Sequence, residues 1–188
     1  MKVHLINYCN NSVTKLGLFI LLILMISGCF SIKPSTTNSG KKYFETFYVG
    51  EDGTQYFIKP FLFKNDKSDE DLIVDITFRY RNEIKDSAIV NFSIKSSIMY
   101  KTIDSIRLSN NDIEIKTSKV ELLFNETSKT GFTSRHSTKF SLKELKDLFN
   151  NNAWEIYIYN QKIIGTYKPY RKTIKVISVI RDKVFVLM

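Results

Sequence analysis

Ser134-Arg-His136-Ser137 holds the residue types of nucleophilic catalysis, a hydroxyl beside an imidazole. Such a pair works only when the two side chains meet within hydrogen-bond reach. Neighbours in a strand point to opposite faces, so His136 turns away from Ser137. Ser134 shares the histidine's face but stands about 7 Å along the chain. The spacing predicts an exposed histidine on an edge strand, with no catalytic pair. The one other histidine is His4, so a zinc site at His136 would have to draw its remaining ligands from carboxylates, which is uncommon. Asp66, Asp69, Glu70 and Asp71 cluster closely enough to raise the question of calcium. Their spacing is not that of a twelve-residue calcium loop, the required glycine is absent, and Lys64 and Lys67 offset the charge. A solvated hairpin loop is the expectation there.

Lys129-Thr-Gly131 matches one short element of penicillin-recognising enzymes. Beyond residue 28, a serine-x-x-lysine motif occurs only at Ser39–Lys42, in a polar stretch, and no Ser-Asp-Asn is present. The match carries no weight, and no glycine-rich phosphate loop exists. No cofactor is expected. Basic residues interleaved with tyrosines mark Tyr167-Lys-Pro-Tyr-Arg-Lys172, flanked by Lys162 and Lys175. Lys162, Lys168, Arg171, Lys172 and Lys175 form the candidate contact with an acidic partner or anionic headgroups.

The thiols point elsewhere. Leu16 to Ile26 is an uncharged apolar run of eleven residues. A membrane-spanning helix needs about 20 residues, whereas an export signal needs an apolar stretch of only about 7–15. Lys2, His4 and Lys15 precede the run, and no acid appears before Glu45. Ile26-Ser-Gly-Cys29 closes it: an aliphatic residue, two small ones and a cysteine. This stretch resembles the lipobox of bacterial lipoproteins, over residues 1–29 only. The resemblance implies that the Cys29 thiol receives a diacylglyceryl group and that the chain is cut before it. The new amino group is then acylated. Cys29 is thus the expected lipid attachment site and first mature residue. Two or more acyl chains give stable attachment, where one is marginal.

Without residues 1–28 the chain keeps 26 basic against 19 acidic residues, a formal +7. Cys9 leaves with the signal and Cys29 carries lipid, so the folded part has no thiol for a disulfide or a metal. An ordinary apolar core must supply stability, and about 150 residues are enough for one. Residues 29–42 read as a lipidated cysteine and flexible tether. Residues 43–188 read as one globular domain.

The elements that must position these groups follow from periodicity. Tyr43–Val49 and Thr54–Phe63 flank an Asp-Gly turn and predict a hairpin. Pro60 demands an edge or a bulge. Leu72–Tyr80 and Ala88–Lys95 alternate strictly. Ile103–Leu108 and Ile113–Thr117 predict a second hairpin, and Val120, Leu122 and Phe124 another strand. Thr133–Phe140 is polar on both faces and reads as an edge. Ser141-Leu-Lys-Glu144 is a capping box opening a helix to about Asn150. Trp154–Tyr159 and Lys162–Tyr167 predict a last hairpin. Residues 171–188 fit either helix or hairpin, and the absence of Gly or Asn at the turn favours the helix. The fold class expected is mainly β: an antiparallel, sandwich-like domain with one or two added helices, the alternative being an antiparallel sheet with helices on one face.

Two classes of function fit. The first is a lipid-anchored binding or structural module on the exported side of the cell membrane or outer membrane. Its partners would be the membrane itself, through the lipid, and an envelope protein or anionic headgroup. An inhibitor or immunity protein is a specific form of this. No nucleic-acid partner is expected in an exported compartment. The second is an envelope glycan-acting enzyme, which needs two carboxyls about 5–9.5 Å apart across a cleft.

Overall fold

A computed structural model describes residues 42–81 and 87–188. The signal, Cys29 and nearly all of the tether lie outside the described residues. The described chain is mainly β, and all of its strand pairings are antiparallel. Its strands are β1 (Phe44–Tyr48), β2 (Thr54–Asn65), β3 (Asp71–Tyr80), β4 (Ser87–Ser96), β5 (Ser105–Ser109), β6 (Glu114–Thr117), β7 (Val120–Ser128), β8 (Gly131–Ser141), β9 (Glu155–Asn160) and β10 (Lys162–Pro169). Two helices are added, α1 (Leu142–Phe149) and α2 (Arg171–Lys183), followed by a 3-10 turn at Phe185–Leu187.

The strands form one sheet in the order β6-β5-β9-β10-β2-β3-β4-β8-β7, with β1 beside β2. β6 and β7 are joined by two residues, yet they pair at opposite ends of that order. The Thr138 hydroxyl donates to the Lys119 carbonyl at 2.6 Å at this junction. The sheet therefore curls back on itself to near closure. Its two halves stand where the layers of a sandwich would.

Alternation decides the inner face. Leu72, Val74 and Ile76 of β3 register with Ile94, Phe92 and Val90 of β4, and all of these and Phe78 are buried. Ile106 and Leu108 line β5, and Ile156 and Ile158 line β9. Both helices close over this interior. Leu142, Leu145, Leu148 and Phe149 turn inward from α1, and Thr173, Ile177 and Ile180 from α2. Trp154 is buried between Phe149 and Phe63, its indole N–H donating to the carbonyls of Leu148 and Asn151. The ambiguous C-terminal stretch is a helix. Burial selects Ile177, Ile180 and Val184 as its inner face and leaves Ile174 and Leu187 exposed.

Pro60 interrupts β2 at a register shift between Ile58 and Phe61. It falls where pairing with β1 ends, at Ile58, and before pairing with β10 begins, at Phe63. A residue without an N–H costs no ladder bond in that gap. Gly165 follows a second irregularity, in β10. An added Cβ there would stand 2.4 Å from the Tyr167 ring, so only glycine lets that ring fold back over the strand.

One strand departs from expectation. Thr133–Phe140 is not an edge: β8 pairs with β4 on one side and β7 on the other. Near closure covers its inner face, so Ser134, His136 and Thr138 are buried despite their polarity.

Candidate functional site

His136 is 1% exposed, where an exposed edge residue was expected. Its ring stacks on Phe92, its register partner in β4, at 5.3 Å between centroids. Neither ring nitrogen makes a well-formed hydrogen bond among the described residues. Burial pushes its pKa below the ordinary histidine value, and a pull from the Ser134 backbone does not offset it. Ser134 shares this face, but its hydroxyl accepts from the Tyr100 N–H at 3.0 Å. No hydrogen bond joins the imidazole to a hydroxyl among the described residues. It serves as a neutral aromatic member of the core.

The acidic loop between β2 and β3 divides in two. Asp66 and Asp69 are exposed, as a solvated loop requires. Glu70 instead turns inward. Its Oε1 accepts from the Ser96 hydroxyl at 2.6 Å and the Tyr100 hydroxyl at 2.7 Å. Its Oε2 accepts from the Tyr167 hydroxyl at 3.0 Å and the Asn65 amide at 3.1 Å. Burial raises the carboxyl, but the hydroxyl donors together lower it further, so it stays below the usual carboxylate range. Burial and this carboxylate push Tyr100 up to about 12 and raise Tyr167 as well. One anion therefore fastens the β2–β3 loop, the end of β4, the loop before β5, and β10. A carboxylate saturated in this way is a poor base and a poor metal ligand. Sequence could not single Glu70 out, because the Ser96, Tyr100 and Tyr167 hydroxyls lie 26 to 97 residues away.

The outer face carries its own polar ladder. Arg135 donates to Asp75 at 2.7 Å and to Ser93 at 3.0 Å, and Asn91 donates to Asp75 at 2.9 Å. Further round, Arg107 lies 3.9 Å from the Tyr157 ring centroid and 3.2 Å from Glu114. The Tyr157 hydroxyl donates to Glu155, and that bond raises its pKa.

A cavity of about 390 Å³ opens beside Glu155, lined by Ser109, Asn110, Trp154 and Lys168 among others. Lys168 Nζ meets Asp66 at 2.7 Å and Glu155 at 3.6 Å. The two carboxylates flank one ammonium, where a glycosidase would need an open gap between its acid and its base or nucleophile. Asn110 is also committed: its amide donates to the Leu148 carbonyl and its oxygen accepts two loop N–H groups. Among the described residues no group of three His, Cys, Asp or Glu side chains could hold a metal.

The five basic residues are all exposed but do not form one cluster. Lys162 begins β10 and Lys168 lies near its end, six residues or about 20 Å along the strand. Lys168 is held in the two ion pairs above. Arg171, Lys172 and Lys175 gather on the first turn and a half of α2. Tyr170 caps that end without a side-chain hydrogen bond, and no acid stands in the first turn. Three cations therefore sit at the positive end of a helix dipole.

Large apolar side chains are exposed at Phe47, Tyr48, Val49, Phe57 and Ile89, on β7 at Leu122, Leu123 and Phe124, and at Val186 and Leu187. No protein-family model, curated protein or solved structure matches the chain.

Proposed function

We propose that this chain is a lipid-anchored protein of the cell envelope whose β domain acts by binding. Ile26-Ser-Gly-Cys29 at the end of an eleven-residue apolar run carries the reading. That pattern places a diacylglyceryl group on Cys29, with the membrane as first partner. The chemistry of the domain supports the binding role. Glu70 is saturated by four donors, the Ser134 hydroxyl is occupied by a backbone N–H, and Asp66 and Glu155 share one lysine. Exposed apolar side chains and the cationic turn of α2 are features of a docking surface. An envelope protein or an anionic headgroup is the partner class, and an inhibitor or immunity protein is one form the role can take.

Mass spectrometry of the mature N-terminus tests the anchor. The expected result is a chain beginning at Cys29 and heavier by its acyl groups. An unmodified Cys29 in a chain that keeps residues 1–28 overturns it. Cys29→Ser should then release the domain from washed membranes while leaving its far-UV spectrum unchanged.

A further inference from the structure

We infer that the β1–β2 end of the domain is a bilayer-contacting rim. The inference rests on the anchored reading above. Tyr48 pairs with Thr54, and Thr54 with Tyr80, so these residues mark one end of the sheet. The exposed apolar side chains concentrate there on both of its surfaces. On the outer surface Phe47 is 53% exposed, and Tyr48, which faces the other way at the end of β1, is 79% exposed. Phe57 meets Phe47 edge to face at 5.6 Å, and Ile89 continues the row through Thr77. On the inner surface Phe185 stacks on Phe78, whose β2 partner is Tyr56, which brings the exposed Val186 and Leu187 to the same end. A rim that is apolar on both sides suits insertion into a bilayer surface better than docking against one flat partner.

The position of the anchor argues for the same occupant. Residues 30–42 separate Cys29 from Tyr43, the residue before β1. Thirteen residues of tether, in the anchored reading, span on the order of 20 Å, and β1 itself runs about 17 Å to Tyr48. The rim is therefore held within reach of the headgroup layer. Aromatic rings concentrate at that layer. Arg79, Arg81, Lys139 and Lys183 are exposed around the rim, with Glu45, Glu51 and Asp182 among the acids beside them. This mixed charge favours a contact made by apolar side chains, one that salt does not abolish.

Quenching by brominated phospholipids tests the contact on the full chain in vesicles. Trp154 is 1% exposed and stays shielded from the quencher. A tryptophan placed by Tyr48→Trp reports the rim, and one placed by Lys95→Trp, an exposed position at the other end of β4, is the control. Expected is quenching of the Tyr48→Trp signal by at least about twofold, in the range of interfacial depth, persisting in high salt, with the control unchanged. Phe47→Ser with Phe57→Ser should reduce it. Equal quenching at both positions, or none at position 48, overturns the rim. The state of Cys29 is read separately by mass. A lipidated Cys29 without quenching removes the rim and leaves the anchor. Quenching with an unmodified Cys29 supports the rim and removes the anchor.

Discussion

His136 and Glu70 are opposite solutions to a polar side chain inside a β domain. The histidine stays neutral and stacks on Phe92, with no partner for either nitrogen among the described residues. Its folded pKa lies below the ordinary value, so the unfolded chain binds a proton first as pH falls. Stability should therefore be full above about pH 6.5 and decline below it, by at most about 1.4 kcal/mol per pH unit from this one group. Glu70 acts lower on the scale. Its depressed pKa contributes stability above the unfolded carboxyl value, lost as pH falls through the folded one. Urea unfolding at stepped pH separates the two. His136→Phe should flatten the slope between about pH 5 and 6.5 and leave the steeper loss below pH 4.5 in place. An unchanged upper slope would mean that another group titrates there. Neither role was legible in sequence. A polar strand flanked by serines looks like an edge until closure of the sheet buries it. An inward glutamate looks like its solvated neighbours until Tyr167 arrives from the far end of the chain.

At the scale of elements, local chemistry was readable wherever its cause was local. Alternation in Leu72–Tyr80 and Ala88–Lys95 named the buried apolar residues of β3 and β4, apart from Tyr80, which is only partly buried. Pro60 announced its bulge because a missing N–H is a property of one residue. Ser141 announced α1: its hydroxyl accepts from the Glu144 N–H at 3.5 Å, and Leu142, Leu145, Leu148 and Phe149 are buried as their spacing required. Ser141→Ala should cost about 0.5–2 kcal/mol, toward the low end for so long a bond. Thermal melts of the two proteins check this, and an unchanged melting temperature would show that the cap contributes nothing. Strand order was not readable. β6 and β7 are adjacent in sequence and lie at opposite ends of the sheet, a choice made by contacts across the whole interior. The C-terminal segment leaned only slightly to helix for the same reason: Ile174, Ile177, Ile180, Val184 and Leu187 fit a helical period, Ile174, Val176, Ser178 and Ile180 an alternating one, and packing against β2 and α1 selects the helix.

At the scale of the molecule, the rim and the cationic turn lie at opposite ends of α2. The Thr173 hydroxyl donates to the Leu62 carbonyl at the start of the helix, and Phe185 reaches Phe78 just beyond its finish. Thirteen residues of helix separate the two by about 20 Å. A domain lying rim-down on a bilayer therefore turns Arg171, Lys172 and Lys175 away from it, toward an acidic partner in the surrounding space. The first turn of α2 holds no acid, and no side-chain cap offsets these cations at the positive end of the dipole. Changing them to Gln should leave the fold intact or stabilise it slightly, by about 0.3–1 kcal/mol for each repulsion removed. The same change should weaken salt-sensitive binding to an acidic polypeptide such as polyglutamate, measured on the full chain in vesicles of neutral lipid. Lys162 and Lys168 supply the control. Lys168 is already paired with Asp66 and Glu155, and Lys162 stands about 20 Å along β10. Their replacement by Gln should change binding little. Equal losses from both sets would spread the attraction over the whole basic surface. Binding that ignores salt would remove the charge contact altogether.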